Sequence, residues 1–371
     1  MSASENLTPL RLLSALGQSV WVDNLSRETN RSGHLQQLID DDSVVGATSN
    51  PTIFEKAMTA GHAYDEQLRA LDAELPIKDV FWTLAEDDIR DACDLFRPIW
   101  DGGGGRDGYV SLEVDPGLAY DTLATFREAI RIHESVQRPN LMVKIPATKP
   151  GLAAIEDVIS KGKSINVTLI FSLERYEAVA ESYVRGLERL VAEAGDPRHV
   201  ASVASFFVSR IDTEADKRLD AIGGHDELKG KLAIANARLA YQSYKAIFSG
   251  PRWEYLASKG AMPQRVLWAS TSVKNPEYRD TMYVEELIGA DTVDTMPEQT
   301  IRDFQDHGQA RATIEAQLED ARNLLDELAA AGVDYKDLTD TLEREGVEKF
   351  AASFDELLQS LEQKRSALVP A

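Results

Sequence analysis

Eight short apolar runs, separated by longer amphipathic stretches, constrain the fold of this chain more than any other feature of its sequence. Short buried strands that alternate with helices, without a low-complexity linker, are typical of a parallel α/β barrel. The sequence therefore predicts an α/β fold, a single (β/α)8 TIM barrel over residues 1–371 with additional N- and C-terminal helices. The runs occupy residues 19–23, 44–47, 109–115, 141–145, 164–172, 200–210, 265–270 and 292–296.

The stretches between the runs carry apolar residues at three- and four-residue spacing, which predicts helices. The first helix is expected to begin at Pro9, with Thr8 as its N-cap, and to stop near Gly17. Longer helices are predicted over residues 56–97, 152–160, 173–194 and 226–248. The C-terminal helices are predicted from about residue 306 to residue 368, with an interruption at Gly332.

One charged residue, Lys144, stands inside the fourth apolar run, which reads LMVKI and is stopped by Pro146. An isolated ammonium group is costly to desolvate, so burial favours the neutral, nucleophilic amine. A nucleophilic lysine amine forms Schiff bases with carbonyl substrates. The alternative is a lysine on an edge strand whose ammonium reaches solvent, and this run alone does not decide between the two.

Polar residues stand in or directly after most of the predicted strands. In a (β/α)8 barrel the active site is built at the C-terminal ends of the strands. Because six or seven strands each donate a polar group, packing alone explains the pattern poorly, and function is the better account. The residues are Asp23, Asn50, Glu113, Lys144, Asn166, Thr168, Ser205, Arg210 and Ser270.

This set can supply the groups that a Schiff-base reaction on a sugar needs. Glu113 and Thr168 can deliver protons with the help of a positioned water, and Asp23 can take the proton of a substrate hydroxyl. The side-chain amides of Asn50 and Asn166 carry both donors and acceptors, so they suit sugar hydroxyls.

A cationic group among these residues predicts a phosphate site. Arg210, together with Ser205, Ser270 and Lys274, would bind a phosphate through charge-assisted hydrogen bonds. A surface ion pair is the alternative role for Arg210.

Composition argues against several other classes of function. The 40 basic and 62 acidic residues give a net charge of −22, which argues against general binding to nucleic acid or to anionic membranes. The six histidines are scattered without metal-ligand spacing, so no metal is expected. The glycine-rich segment DGGGGRDG precedes a predicted strand instead of opening a helix, so no dinucleotide site is expected there.

The same features bear on the compartment. A single cysteine, Cys93, rules out an internal disulfide and fits a reducing environment. The first residues lack the pattern of a secretory signal, and no stretch approaches the roughly 18 apolar residues of a membrane span. A cytoplasmic protein is therefore expected.

Six segments, in this order along the chain, resemble the transaldolase family in the longer form found in actinobacteria and some other bacteria. They read WVDNLSR, GATSNPTIF, VSLEVDP, LMVKIPATKPG, INVTLIFS and SFFVSRID, and they extend from about Val20 to about Met296. The resemblance implies a class I aldolase barrel that moves a dihydroxyacetone unit between sugar phosphates of the non-oxidative pentose phosphate pathway. It implies no metal, no diffusible cofactor, and a monomer or homodimer.

Motif positions carry the family's roles onto this chain. The resemblance implies that Lys144 is the Schiff-base lysine, that Asp23 is the base, and that Glu113 acts with Thr168 as the acid/base pair. It also matches Asn50 and Asn166 to hydroxyl-binding asparagines. Ser205 and Arg210 match phosphate contacts.

The chain departs from the family pattern at one phosphate position. Many members carry an arginine two residues after the serine that Ser270 matches, whereas this chain has Ser272 there. Lys274 is the candidate replacement, although a lysine acts as a point charge and not as a planar fork.

Two alternative functions remain open at this level. A fructose-6-phosphate aldolase would share the lysine and the fold but release free dihydroxyacetone. Members of that group tend to carry Gln and Tyr where this chain has Glu113 and Phe207, so both positions favour transaldolase. A non-catalytic sugar-phosphate-binding barrel would give no reason for Lys144, Glu113 and Asp23 to occur together.

Overall fold

The computed structural model describes residues 7–368, which form eight strands and sixteen α-helices. The strands β1 to β8 are, in order, Gln18–Val22, Val44–Ala47, Tyr109–Glu113, Leu141–Pro146, Ile165–Ile170, Ser202–Phe207, Arg265–Ala269 and Thr292–Met296. The helices α1 to α16 are, in order, Pro9–Ala15, Arg27–Arg31, His34–Asp42, Pro51–Thr59, Asp65–Ala70, Ile77–Gly102, Thr122–Val136, Lys149–Ser160, Leu173–Ala192, Ser209–Ile222, Leu232–Ile247, Gly250–Ser258, Met282–Glu286, Glu298–His307, Leu318–Ala331 and Tyr335–Leu368.

The eight strands close into a barrel in chain order. Strand β1 pairs with β2 on one side and with β8 on the other, and all neighbouring strands run parallel. Helices follow the strands and surround the barrel, as the connection between parallel strands requires. The predicted (β/α)8 TIM barrel with additional helices is therefore confirmed.

Strand register brings three of the candidate residues side by side. Glu113 on β3 is paired with Lys144 on β4, and Lys144 is paired with Asn166 on β5. Neighbouring residues in register point to the same face of a sheet, so these three side chains form one row around the barrel wall. Thr168 lies two residues beyond Asn166, on the same face and nearer to the C-terminal end of β5.

Close packing and a buried polar cluster support the barrel below this row. A Cβ on Gly46 of β2 would lie 2.5 Å from the ring of Trp21, so only glycine fits at position 46. At the N-terminal end of the barrel, the buried side chain of Arg265 donates to Ser19 Oγ at 2.7 Å and to Asp107 Oδ1 at 2.9 Å. This cluster gives Arg265 a structural role away from the catalytic end.

The predicted helix over residues 56–97 is wrong in its continuity, because the structure has α4, α5 and α6 in this region. Helix α4 ends at Thr59, and Gly61 follows with a positive φ of 63°. Pro76 precedes α6, and a proline disfavours helical geometry in the residue before it. The expected start of α1 at Pro9, capped by Thr8, is confirmed.

The predicted helices over residues 226–248 and 306–368 are also interrupted. Gly230 adopts a positive φ before α11, and a Cβ there would clash with the ring of Tyr278. Residues 308–317 form a loop, because the backbone N–H groups of Thr313 and Ile314 both donate to Ile288 O. Helix α14 begins at Glu298, ahead of the predicted start, and α12 was not predicted.

The sixth predicted strand, 200–210, is too long at its C-terminal end. Strand β6 stops at Phe207, and α10 begins at Ser209. The backbone N–H of Ser209 donates to Ser270 O at 3.0 Å, and Asp212 stands in the first turn, where a carboxylate suits the helix dipole. Arg210 therefore lies in the first turn of a helix and not in a strand.

Candidate active site

A cavity of about 400 Å³ opens at the C-terminal ends of the barrel strands. Its position is the one at which (β/α)8 enzymes build their active sites. Most of the residues that the sequence singled out line it, namely Asp23, Asn50, Lys144, Thr168, Ser205, Phe207, Arg210, Ser270 and Lys274. Glu113 and Asn166 do not line this cavity and lie fully or nearly buried behind its wall.

Lys144 is the charged group at the base of this cavity. Its side chain is almost fully buried, and Nζ donates to Ser49 O at 3.0 Å. Nζ also lies 3.4 Å from Glu113 Oε2. Because the barrel is closed and β4 has a partner on each side, the alternative of a lysine on an edge strand is excluded.

Asp23 follows β1 and is held in place by two threonines. Thr48 Oγ1 donates to Asp23 Oδ1 at 2.7 Å, and Thr295 Oγ1 lies 2.8 Å from Thr48 Oγ1. Burial raises the pKa of the Asp23 carboxyl above its usual range, and the nearby Lys144 charge opposes part of that rise. A carboxylate with a raised pKa is a better proton acceptor, which suits a general base.

Glu113 and Thr168 carry buried polar atoms that the surrounding protein leaves poorly satisfied. Within residues 7–368, Glu113 Oε2 and Thr168 Oγ1 have no well-aligned hydrogen-bond partner. Burial raises the pKa of the Glu113 carboxyl, and its pairing with Lys144 opposes part of that rise. A buried polar atom without a protein partner is costly unless a ligand or water satisfies it, so both atoms are available to a reacting group.

The two asparagines have different surroundings. Asn50 Oδ1 accepts from Ile53 N at 3.0 Å and so caps α4. The amide N–H groups of Asn50 have no hydrogen-bond acceptor among residues 7–368, and the residue lines the cavity. Asn166 donates through Nδ2 to Ser111 Oγ at 3.1 Å, and its Oδ1 accepts from Ser205 Oγ at 2.7 Å. The Asn166 amide thus links β3, β5 and β6 behind the cavity.

Arg210 presents a guanidinium group that no residue between 7 and 368 neutralises. No hydrogen bond or ion pair within the described range 7–368 involves its side chain, and the Phe207 ring lies 5.0 Å from Arg210 Cζ, within cation–π distance. Burial lowers the pKa of the guanidinium, and the charges of Asp23 and Glu113 oppose that change. The predicted alternative, a surface ion pair, therefore does not describe Arg210.

The rest of the predicted phosphate site lies along the same side of the cavity. Ser270 has a positive φ of 59°, and its Oγ lies 2.9 Å from Ser209 Oγ. Lys274 is exposed and donates to Ser272 Oγ at 2.7 Å. Ser272 occupies the position at which many members of the resembled family carry arginine. Its hydroxyl accepts a hydrogen bond from Lys274, the candidate replacement for that arginine.

Several cavity residues were missed by the sequence reasoning, among them Thr48 and Thr295, which position Asp23, and the side chains of Lys56 and Phe350. Lys56, on α4, is exposed and lines the cavity, and it lies on one helix face with Asn50 and Ile53 at three-residue spacing, a signal that could have identified it. Phe350, on α16, also lines the cavity, although it lies far from the barrel strands in sequence. No local pattern around Phe350 points to this position.

Metal and membrane features are not found in the part of the chain that the structure describes. No group of three or more histidine, cysteine, aspartate or glutamate residues within 7–368 could hold a metal ion. Over the same residues, no helix is long and apolar enough to cross a membrane.

Comparisons with known proteins show the family to which this chain is related. A family model described as transaldolase/fructose-6-phosphate aldolase matches residues 20–361. The transaldolase of Acidothermus cellulolyticus is 52% identical over 364 residues, which cover 96% of this chain and 98% of the relative. The transaldolase of Saccharopolyspora erythraea is 51% identical over 357 residues, covering 96% and 97%. Transaldolase 2 of Streptomyces avermitilis is 49% identical over 365 residues, covering 97% and 98%.

Proposed function

We propose that this chain, which belongs to the transaldolase/fructose-6-phosphate aldolase family, transfers a dihydroxyacetone unit between sugar phosphates through a Schiff base on Lys144. The single observation that carries the assignment of the nucleophile is the buried Lys144 amine, 3.4 Å from Glu113 Oε2, on the wall of the cavity. The donor and acceptor pairs of this transfer are sedoheptulose 7-phosphate with glyceraldehyde 3-phosphate, and fructose 6-phosphate with erythrose 4-phosphate.

The first stage forms the covalent intermediate. Lys144 first transfers its ammonium proton to the Glu113 carboxylate, 3.4 Å away. The resulting amine attacks the C2 carbonyl of the ketose and forms a carbinolamine, which must be protonated on oxygen to lose water. Glu113 is placed to supply that proton, directly or through a water bound at Thr168 Oγ1, since neither polar atom has a well-aligned partner within residues 7–368. Loss of water leaves a protonated Schiff base, an iminium ion.

The second stage breaks a carbon–carbon bond. Asp23 takes the proton of the C4 hydroxyl, the C3–C4 bond breaks, and its electron pair moves through the iminium to nitrogen. The leaving aldose carries the new aldehyde, and the three carbons that remain on Lys144 form an enamine. The raised pKa of Asp23 strengthens it as a base, and its hydrogen bond from Thr48 fixes the carboxylate orientation.

The third stage reverses these steps with a different aldehyde. The enamine carbon attacks the acceptor carbonyl, the new alkoxide takes the proton from Asp23, and hydrolysis of the iminium releases the new ketose. Asn50 is placed to hold a hydroxyl of the intermediate, since it lines the cavity. The hydroxyl-binding role of Asn166 stays a prediction, because two of its hydrogen-bonding positions already bind Ser111 and Ser205.

Phosphate recognition falls to the cationic side of the cavity. The N–H donors of the Arg210 guanidinium, which have no partner among residues 7–368, can form a planar, bidentate contact with phosphate oxygens. Ser270 and Lys274 follow β7, next to β6, and line the same cavity. Lys56 lines it from α4, which follows β2, four strands away from β6 around the barrel. In a chain of net charge −22, such a local concentration of cations favours an anionic substrate.

A fructose-6-phosphate aldolase is the competing function, and two side chains argue against it. Glu113 is a carboxylic acid at the position where an aldolase of that group was expected to carry glutamine. Phe207 has no hydroxyl that could protonate the enamine, and its ring packs 5.1 Å from Phe171. Without a proton donor at that place, the enamine survives until an acceptor arrives.

Acceptor dependence tests this proposal. With fructose 6-phosphate alone, we expect a burst of glyceraldehyde 3-phosphate that stops after about one turnover per active site. Erythrose 4-phosphate should restore multiple turnovers and yield sedoheptulose 7-phosphate. Steady release of free dihydroxyacetone without an acceptor, at a rate equal to that of transfer, would make the protein an aldolase instead.

A further inference from the structure

The C-terminal helix α16 delivers an aromatic ring to the active-site cavity. Phe350 on this helix is only 8% exposed and lines the cavity. Its ring centroid lies 5.9 Å from Arg210 Cζ and 6.0 Å from Lys144 Nζ. We propose that Phe350 is a positioning residue that holds the Arg210 guanidinium for phosphate binding, an inference that rests on the proposed function of Arg210.

Arg210 needs such a support because polar groups do not hold it. An arginine side chain is flexible, and ordering it costs conformational entropy on binding. Within residues 7–368 its guanidinium has no hydrogen bond and no ion pair, but the rings of Phe207 and Phe350 both lie within cation–π distance. Aromatic faces attract the cation without occupying its N–H groups, so all donors remain available to a phosphate.

The position of Phe350 is fixed by contacts on either side of it along α16. One turn before it, Gly346 faces β5, where an added Cβ would lie 3.0 Å from Leu169 Cδ2, so the helix backbone approaches the barrel closely. One turn after it, the Phe354 ring packs 5.1 Å from Phe81 in an edge-on contact. Further along, Lys364 Nζ donates to Met58 O at 3.0 Å.

These contacts make α16 a part of the active site, although its sequence lies beyond the last barrel strand. The Phe350 ring can limit the motion of Arg210 only if α16 stays docked on the barrel. Loss of the ring should therefore weaken binding of the phosphate and leave the interactions with the rest of the sugar intact.

A pair of matched substitutions tests the inference. Phe350→Leu removes the aromatic face and keeps an apolar side chain, and Phe248→Leu makes the same change at the end of α11, outside the cavity, where the ring packs on Tyr244 and Trp253. The quantity to compare is the ratio of kcat/KM for fructose 6-phosphate to kcat/KM for unphosphorylated fructose, each with the same acceptor. This ratio cancels effects of the substitution on Lys144 itself.

We expect Phe350→Leu to lower this ratio by about 2- to 30-fold, which is the range of a cation–π attraction, mainly through KM for fructose 6-phosphate. Phe248→Leu should leave the ratio at its wild-type value. Equal ratios in the two variants, or equal losses for both substrates in Phe350→Leu, would overturn the inference. If Phe350→Leu does not fold, Phe350→Met provides the same comparison with a more flexible side chain.

Borohydride trapping separates this result from a failure of the proposed function. Wild-type protein and both variants should all form a reduced adduct on Lys144 with fructose 6-phosphate. An adduct on Lys144 with an unchanged ratio would overturn the role of Phe350 alone. Absence of the adduct in the wild type would overturn the proposed function and, with it, this inference.

Discussion

Replacing Arg210 by alanine is expected to raise KM for phosphorylated donors about 10- to 160-fold. A hydrogen bond to a charged group contributes about 1.5–3 kcal/mol, and each 1.36 kcal/mol corresponds to a factor of ten. The structure supports the use of this full range, since no hydrogen bond or ion pair within residues 7–368 competes for the guanidinium. The free energy of unfolding should change little, because the guanidinium has no hydrogen bond or ion pair to lose within residues 7–368 and its charge is the last of the influences on the pKa of Asp23 and Glu113.

The pH dependence supplies a second signature of the same substitution. The positive charge of Arg210 is one of the influences that lower the pKa of Asp23, against the larger effect of burial. Without that charge the pKa of Asp23 rises further, so a larger fraction of the base is protonated at a given pH. The acid limb of the kcat/KM profile should therefore move to higher pH in Arg210→Ala.

The assay is steady-state transfer to erythrose 4-phosphate with fructose 6-phosphate or unphosphorylated fructose as donor. Arg210→Lys is the matched control, because it keeps the charge but loses the planar fork. We expect Arg210→Lys to fall between the wild type and Arg210→Ala for the phosphorylated donor. Equal losses for both donors in Arg210→Ala, or a large fall in the unfolding midpoint, would show that Arg210 is structural.

The remaining predictions concern proton transfer, the second phosphate contact and stability. Glu113→Gln should lower both kcat and the rate of borohydride trapping about 100-fold or more, as expected for loss of a general acid, and a rate within a few-fold of wild type would contradict that role. Lys274→Ala and Lys56→Ala should each raise KM for fructose 6-phosphate by less than Arg210→Ala does, and an unchanged KM would exclude the lysine concerned from phosphate binding. Burial raises the pKa of Asp294 to about 7. The contribution of Asp294 to the free energy of unfolding therefore falls by up to about 4 kcal/mol as pH rises from about 4 to 7. Measured by urea unfolding, the Asp294→Asn variant should lose less stability over this pH interval than the wild type does, and an equal loss would contradict the raised pKa.

The barrel and most of the site could be predicted because their signals are local. Each strand is a short apolar run, and polar residues in or just after several of the strands line the cavity, as with Asp23 and Lys144. Register then follows from the closed parallel topology, which sets Glu113 beside Lys144 without any further signal. The family resemblance, which the comparisons bear out, adds roles to positions that this pattern already marked.

Features that depend on contacts distant in sequence could not be predicted in the same way. Phe350 reaches the cavity because α16 docks on the barrel and on α4, and the helical pattern of this segment does not reveal where it docks. Residues 308–317 belong to a segment that the sequence predicts to be helical. Ile288 O accepts hydrogen bonds from the backbone N–H groups of Thr313 and Ile314, which holds this segment in a loop. Arg210 was assigned to a strand because its preceding residues are apolar, whereas a contact with Ser270 ends the strand earlier.

The central claim is that Lys144 is the covalent catalyst, and mass spectrometry after borohydride reduction in the presence of fructose 6-phosphate tests it most directly. Peptide mapping should locate one reduced dihydroxyacetone unit on Lys144, and Lys144→Ala should abolish both the adduct and turnover. An adduct on Lys149 or Lys163 with Lys144 unmodified, or full turnover by Lys144→Ala, would contradict the account.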